Sequence, residues 1–196
     1  MRPIAIADSP CPKNLRHGPA RICRRAMLSL AAFFLGGCVG VPDGLEPVKD
    51  FEPDRYLGQW YEIARLDHSF ERGLSRVTAT YSMRDDGGIR VLNRGFDAAK
   101  DEWSEAEGRA YFVGERDEGY LKVSFFGPFY GAYVVFDLDR DDYQYSYVAG
   151  PNRSYLWLLA RTPTVDQAVL DRFLEKAAES GFDTESLIFV DQMPPS

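Results

Sequence analysis

The stretch Arg76-Val77-Thr78-Ala79-Thr80-Tyr81-Ser82-Met83, then Asp85-Asp86-Gly87-Gly88, then Ile89 to Phe96, decides the fold class. In its first part Arg76, Thr78, Thr80 and Ser82 are polar, whereas Val77, Ala79, Tyr81 and Met83 are not. Side chains of an extended chain point alternately to two faces, so this period of two predicts a strand with one face on a core. Glycine supplies the positive φ that a tight turn needs, so the Asp-Gly tract predicts an antiparallel hairpin into the next strand.

Outward from this hairpin the pattern repeats at spacings of about ten residues, as in an all-β sandwich or barrel. Candidate strands are Gln59–Leu66, Arg76–Met83, Ile89–Phe96, Trp103–Val113, Tyr120–Phe126, Ala132–Leu138, Tyr143–Ala149 and Tyr155–Arg161. Asp139-Arg140-Asp141-Asp142 and Gly150-Pro151-Asn152 provide further short turns, which join antiparallel neighbours in up-and-down order. Alternation puts Tyr143, Tyr145 and Tyr147 on one face. The last strand, Tyr155-Leu156-Trp157-Leu158-Leu159-Ala160, is apolar on both faces and needs a cover. Val165 to Ser180 supplies one: Val169, Leu170, Phe173, Leu174 and Ala177 fall at helical spacing and Gly181 ends the run. A short strand, Leu187–Val190, follows. The expected fold is an all-β, eight-stranded antiparallel barrel with one C-terminal helix outside. Such a barrel is filled by side chains or holds one small ligand. Small inward residues such as Ala79 and Ala110 favour room inside.

The chain's charge is uneven. Residues 1–37 hold six of the 23 Lys and Arg and one of the 30 acids, leaving 17 basic against 29 acidic groups, net −12, on residues 38–196. An acidic body excludes nucleic acid as a partner, because a phosphate-binding surface needs a basic excess. Arg24 and Arg25 precede a ten-residue apolar run, Ala26 to Leu35, too short to span a bilayer and suited to a cleavable signal. Residues 1–22 carry no pattern, and Met27 is an alternative start that loses both arginines. The run ends in Leu35-Gly36-Gly37-Cys38, which resembles the lipobox of bacterial lipoproteins, where the cysteine is acylated. Val39, in place of Asp, resembles the outer-membrane form of that signal, and the Arg-Arg pair faintly resembles a twin-arginine leader. Residues 1–37 are thus expected to be a signal with a basic extension, 38–52 a lipidated tether, and 53–196 the barrel. Cys11, Cys23 and Cys38 all lie in or just after the head, so the body has neither a disulfide framework nor a thiolate metal site.

Tyr56-Leu57-Gly58-Gln59-Trp60-Tyr61-Glu62 resembles the Gly-x-Trp signature of the lipocalins. Arg161 after Trp157-Leu158-Leu159-Ala160 resembles their third shared element. Leu138-Asp139-Arg140 stands where a Thr-Asp-Tyr element would be, with only the Asp matching. Phe70-Glu71-Arg72-Gly73-Leu74 and the stretch Lys122 to Gly131 are similar to the bacterial outer-membrane lipocalins. The resemblance spans about residues 50 to 192. It implies a fatty acid or lysophospholipid as ligand, no cofactor, and a lipid-anchored place in the outer membrane, with a homodimer left open.

Gly58, Trp60 and Arg161 then form a structural signature: Trp60 enters the barrel base and Arg161 lies over its indole. Parity from Arg161 turns Tyr155 and Trp157 inward. The same logic and the resemblance place Ala79, Tyr81, Val91, Asn93, Ala110, Phe112, Val123, Phe125, Tyr133 and Val135 inside as ligand-lining residues, although each also suits a plain core. The tyrosine hydroxyls are expected near the mouth, where they would meet a carboxylate or phosphate head. The apolar turn Phe125 to Tyr130 reads as an ordinary hairpin or, as evenly, as one of pocket rim, membrane-touching tip and dimer contact.

Catalysis is not expected. His68 is the only His of residues 38–196, and Asp67, His68 and Ser69, adjacent in one loop, do not converge as a triad. His68 reads as a solvated loop residue. The rival readings are an enzyme on a lipid-like or isoprenoid substrate, and a structural envelope lipoprotein with a packed interior.

Overall fold

The computed structural model describes residues 39–193; the basic head, the signal-like run and Cys38 lie outside the described residues. Eight strands follow one another around a closed wall: β1 (Gly58–Leu66), β2 (Leu74–Met83), β3 (Ile89–Asp97), β4 (Glu102–Phe112), β5 (Tyr120–Ser124), β6 (Gly131–Leu138), β7 (Tyr145–Ala149) and β8 (Leu156–Ala160). Each pairs antiparallel with the next, β8 pairs with β1, and β1 returns to β2. The eight-stranded antiparallel barrel expected from the sequence is therefore present. A short helix α1 (Pro53–Tyr56) leads into β1, a long helix α2 (Gln167–Glu179) follows β8, and β9 (Leu187–Phe189) adds to the outside of β1.

The strand order gives the barrel two unlike ends. Chain direction alternates, so the connections 67–73, 98–101, 125–130 and 150–155 gather at one end, the mouth. The connections 84–88, 113–119 and 139–144 gather with α1 at the other, the base.

Alternation sorts the apolar residues into two cores on opposite sides of the wall. Outside, Ala64, Leu66, Val134, Tyr147, Leu156, Leu158 and Ala160 pack beneath Phe173 and Ala177 of α2. Inside, Trp60, Ala79, Tyr81, Val91, Ala110, Leu121, Val135, Val148 and Leu159 face the axis. The expected helical cover is thus in place.

β1 has a divided role. Its first half, Gly58 to Tyr61, pairs with Tyr81 to Thr78 of β2; its second half, Ala64 to Leu66, pairs with Phe189 to Leu187 of β9. The seam between β1 and β2 is closed by the tail: Arg76 N–H donates to Asp191 O (2.7 Å), and Gln192 Nε2 bridges Glu62 O (2.7 Å) and Val77 O (3.0 Å).

Two expectations need correction. Residues 38–52 are not a tether throughout, because Leu45, Val48 and Phe51 are buried. Val48 exchanges backbone bonds with Val135 O and Gly119 N (both 2.9 Å), and Phe51 N donates to Asp117 O (2.8 Å), so this segment seals the base. Tyr143 does not share a face with Tyr145 and Tyr147: it precedes β7 with φ +55° and turns into the base, whereas the other two pack toward α2. The turn after β6 keeps its bonding despite matching only the Asp of its element. Asp139 Oδ2 accepts from Gln144 N (3.1 Å) and Asp139 O accepts from Tyr143 N (3.0 Å).

Candidate functional site

The base is plugged first. Trp60 is fully buried, its indole N–H donates to Tyr56 O (2.8 Å), and the Arg161 guanidinium carbon stands 3.8 Å above its ring. Arg161 also donates to Gln59 O (2.9 Å), Arg55 O (2.7 Å) and Tyr143 O (3.3 Å). Gly58, at φ +93°, passes so close that an added Cβ would lie 3.4 Å from an Arg161 nitrogen.

Above the plug lies a floor of hydroxyls. Tyr133 OH meets Tyr56 OH (2.8 Å) and Tyr81 OH (2.9 Å), and Tyr56 OH reaches Ser146 Oγ (3.1 Å). Burial raises all three tyrosine pKa values, that of Tyr56 to about 12, so these groups stay neutral. Because they satisfy one another inside the barrel, they are not the head-group contacts expected at the mouth.

The floor carries an apolar chamber of about 90 Å³ lined by Ala79, Tyr81, Val91, Asn93, Ala110, Val123, Phe125, Tyr133 and Trp157. Its upper neighbour, a vestibule of about 370 Å³, shares Asn93, Val123, Phe125 and Trp157 with it and adds Tyr155. Ten of the twelve residues expected to line a ligand site thus border these spaces. Phe112 and Val135 do not: they belong to the inner core but border neither space, and Phe112 packs near Phe51 (6.4 Å between rings). The rim is aromatic and exposed, with Phe126 at 79%, Phe129 at 67% and Phe70 at 52%.

The chamber has one strongly polar wall, which the sequence reading missed. Strict alternation from Trp60 puts Glu62 inside and Arg65 outside, but β1 bulges between Glu62 and Ala64. The bulge shifts the parity, so Arg65 also turns in and is almost fully buried. Arg65 donates to Glu62 Oε1 (2.6 Å) and to the carbonyls of Glu71 (2.9 Å) and Leu74 (3.2 Å), which fixes the 67–73 loop over the mouth. Glu71, from that loop, accepts from Trp157 Nε1 (3.2 Å) and Asn93 Nδ2 (3.4 Å). His68 is not solvated as expected but 5% exposed, its Nε2 lying 3.0 Å from Glu71 Oε2 and its ring 4.0 Å from Phe70 and 5.1 Å from Trp157. The apolar surface that these rings offer draws it in. Asp67 and Ser69 on either side face solvent, and Asp67 pairs with Arg72 instead (2.7 Å).

Two carboxyl groups in one low-dielectric space cannot both ionise freely. Burial, reinforced by the charge of Glu71, raises the Glu62 pKa well above the ordinary carboxylate value. Burial pushes Glu71 the same way, but the facing His68 and Trp157 outweigh it and hold Glu71 below that value. Glu62 therefore keeps the proton and Glu71 the charge.

Comparison with known proteins agrees with this architecture. Residues 51–192 match the profile of a lipocalin-like domain. The chain is 62% identical to outer membrane lipoprotein Blc of Vibrio cholerae over 169 residues, which are 86% of this chain and 99% of that protein. It is 51% identical to outer membrane lipoprotein Blc of Escherichia coli over 164 residues, 83% and 92% of the two chains. Among solved structures, insecticyanin from the tobacco hornworm shares the fold with a TM-score of 0.61 at 20% identity, covering 78% of this chain and 86% of that one.

Proposed function

The chain belongs to the lipocalin family and sits at the outer membrane as a lipoprotein, and on that footing we propose that it carries a single-chain lipid, a fatty acid or lysophospholipid, in its barrel. The observation that carries this reading is a chamber closed below by the Trp60–Arg161 plug and the tyrosine floor, yet open above through an aromatic rim. A vestibule of 370 Å³ falls within the range of small-molecule sites, roughly 300–1,000 Å³. The narrow chamber beneath it takes the end of an alkyl chain. Each methylene moved from water into such a space gains about 0.8 kcal/mol, so tail length sets affinity.

Ala79, Tyr81, Val91, Asn93, Ala110, Val123, Phe125, Tyr133, Tyr155 and Trp157 supply the contacts in this reading. Acylation of Cys38 supplies the membrane attachment, and the protein binds rather than transforms its cargo.

Solvent extraction of the purified protein followed by mass spectrometry tests the proposal, together with titration of the neutral fluorophore N-phenylnaphthylamine. A bound single-chain lipid and saturable fluorescence are expected. A protein that yields no lipid and takes up no probe is not a carrier. Cys38→Ser is expected to move the protein from the membrane to the soluble fraction.

A further inference from the structure

Glu62, Glu71 and Asn93 line the chamber, and Glu71 and Asn93 also line the vestibule, so they stand where a lipid's tail gives way to its head. We propose that this cluster is a head-group subsite that takes a primary ammonium in preference to a carboxylate or phosphate. The inference rests on the carrier reading and narrows it: among single-chain lipids, those whose head ends in a primary amine bind best, and a plain fatty acid binds least well.

The charges argue first. Two carboxyl groups face one guanidinium, and Arg65 is already committed to Glu62 and two backbone carbonyls. Among the described residues lining the two spaces, the one cation is Arg94, which pairs with Glu105 (3.3 Å) and stacks on Trp103 (3.9 Å). An anionic head would thus lie beside the Glu71 carboxylate without a free cation, an unfavourable placement at low dielectric.

The unspent acceptor argues independently. Among the described residues, Asn93 Oδ1, which borders both spaces, has no hydrogen-bond partner. Asn93 Oδ1 is an acceptor, and Glu71 carries the negative charge. An ammonium offers three N–H donors to this set. Trp157, Tyr155 and Phe70 add aromatic surface beside it, which attracts cations.

Proton balance follows. An ammonium beside Glu71 favours ionisation of Glu62, so uptake expels the Glu62 proton to solvent and leaves both carboxylates charged around Arg65 and the ligand. The charged and titratable groups facing this pair are Arg65 of β1, His68 of the loop and Tyr81 of β2. Amine affinity should therefore rise with pH above the ordinary carboxylate range, while a neutral head shows no such trend.

The experiment is displacement of N-phenylnaphthylamine from the purified protein by dodecylamine, dodecanol and dodecanoate, which share one tail. Dodecylamine is expected to bind about tenfold more tightly than dodecanol, with dodecanoate weakest. Glu71→Gln should bring the amine down to the alcohol and leave the alcohol within about twofold. An amine no tighter than the alcohol, or a dodecanoate tighter than both, overturns the subsite while leaving the carrier intact. If Glu71→Gln does not fold, the wild-type ranking and its pH trend decide alone. Binding of neither the probe nor any of the three removes the carrier reading, and the subsite with it.

Discussion

Arg161 lies flat over the indole of Trp60, 3.8 Å from guanidinium carbon to ring centre, while its nitrogens hold three backbone carbonyls from β1, α1 and the β6–β7 turn. One side chain at the end of β8 thus ties together β1, α1 and the β6–β7 turn at the base. Replacing it with Met keeps the apolar stem and removes the cation and the donors. Arg161→Met is expected to cost about 2 kcal/mol in urea unfolding, since Trp60 is fully desolvated although Arg161 is only half-buried. Probe affinity should change by less than about twofold, because the plug lies beneath the tyrosine floor.

Filling the chamber separates cargo binding from stability. Ala79 borders the narrow chamber, so Ala79→Phe occupies the space meant for the end of the tail. Overpacking costs about 1–3 kcal/mol. The variant should keep its β-sheet circular dichroism yet lose most uptake of N-phenylnaphthylamine. Unchanged uptake would mean that the tail lies elsewhere.

Trp157 has two jobs that substitution can split. Its ring borders both chamber and vestibule, and its N–H donates to Glu71. Trp157→Ala should weaken lipid binding about tenfold through lost aromatic contact. Trp157→Phe keeps most of that contact and leaves Glu71 short of a donor, so it should lower stability by about 1 kcal/mol with a smaller loss of affinity. Isothermal titration paired with thermal unfolding resolves the two.

The buried carboxyl pair sets a pH signature. Glu62 titrates above its ordinary value of 4.5, so between the two values the folded protein binds more protons than the unfolded chain. This contribution is complete below 4.5 and declines as pH rises through the folded value. Glu71, held below its ordinary value, contributes oppositely and is lost as pH falls through its own folded value. Glu62→Gln removes the first trend only. Urea midpoints of the variant should thus fall less with rising pH above 4.5 than those of the wild type, with the loss at acid pH retained. Parallel profiles on the alkaline side would show that Glu62 is already ionised.

The seam gives a fifth expectation. Gln192 bridges the carbonyls of Glu62 and Val77. Gln192→Ala leaves two part-buried acceptors without that donor and should cost about 1–3 kcal/mol. Hydrogen exchange should speed up in the second half of β1 and the first half of β2, and not in β4 to β6.

The walls of this barrel were legible in the sequence wherever backbone geometry is regular. Alternation from Arg76 to Met83 and the Asp-Gly turn gave the hairpin, and the spacing of Phe173 and Ala177 gave the helix that covers the outer core. What escaped depends on breaks in regularity. Arg65 faces inward because one bulge after Glu62 shifts the parity, and no local signal in Ile63-Ala64 announces it. Tyr143 parts from Tyr145 through a positive φ at a non-glycine residue. His68 and Glu71 come from a loop, where no periodicity tells inside from outside. Phe51 lies in a Pro- and Gly-broken segment whose burial is decided by residues far along the chain. The apolar lining was readable for the same reason as the strands, whereas the polar wall was assembled by exceptions.

Because β9 and Gln192 finish the junction of the first two strands, a chain that stops short of them leaves that side of the wall unsealed. The closing stitch in the wall is therefore made by the part of the domain that is synthesised last.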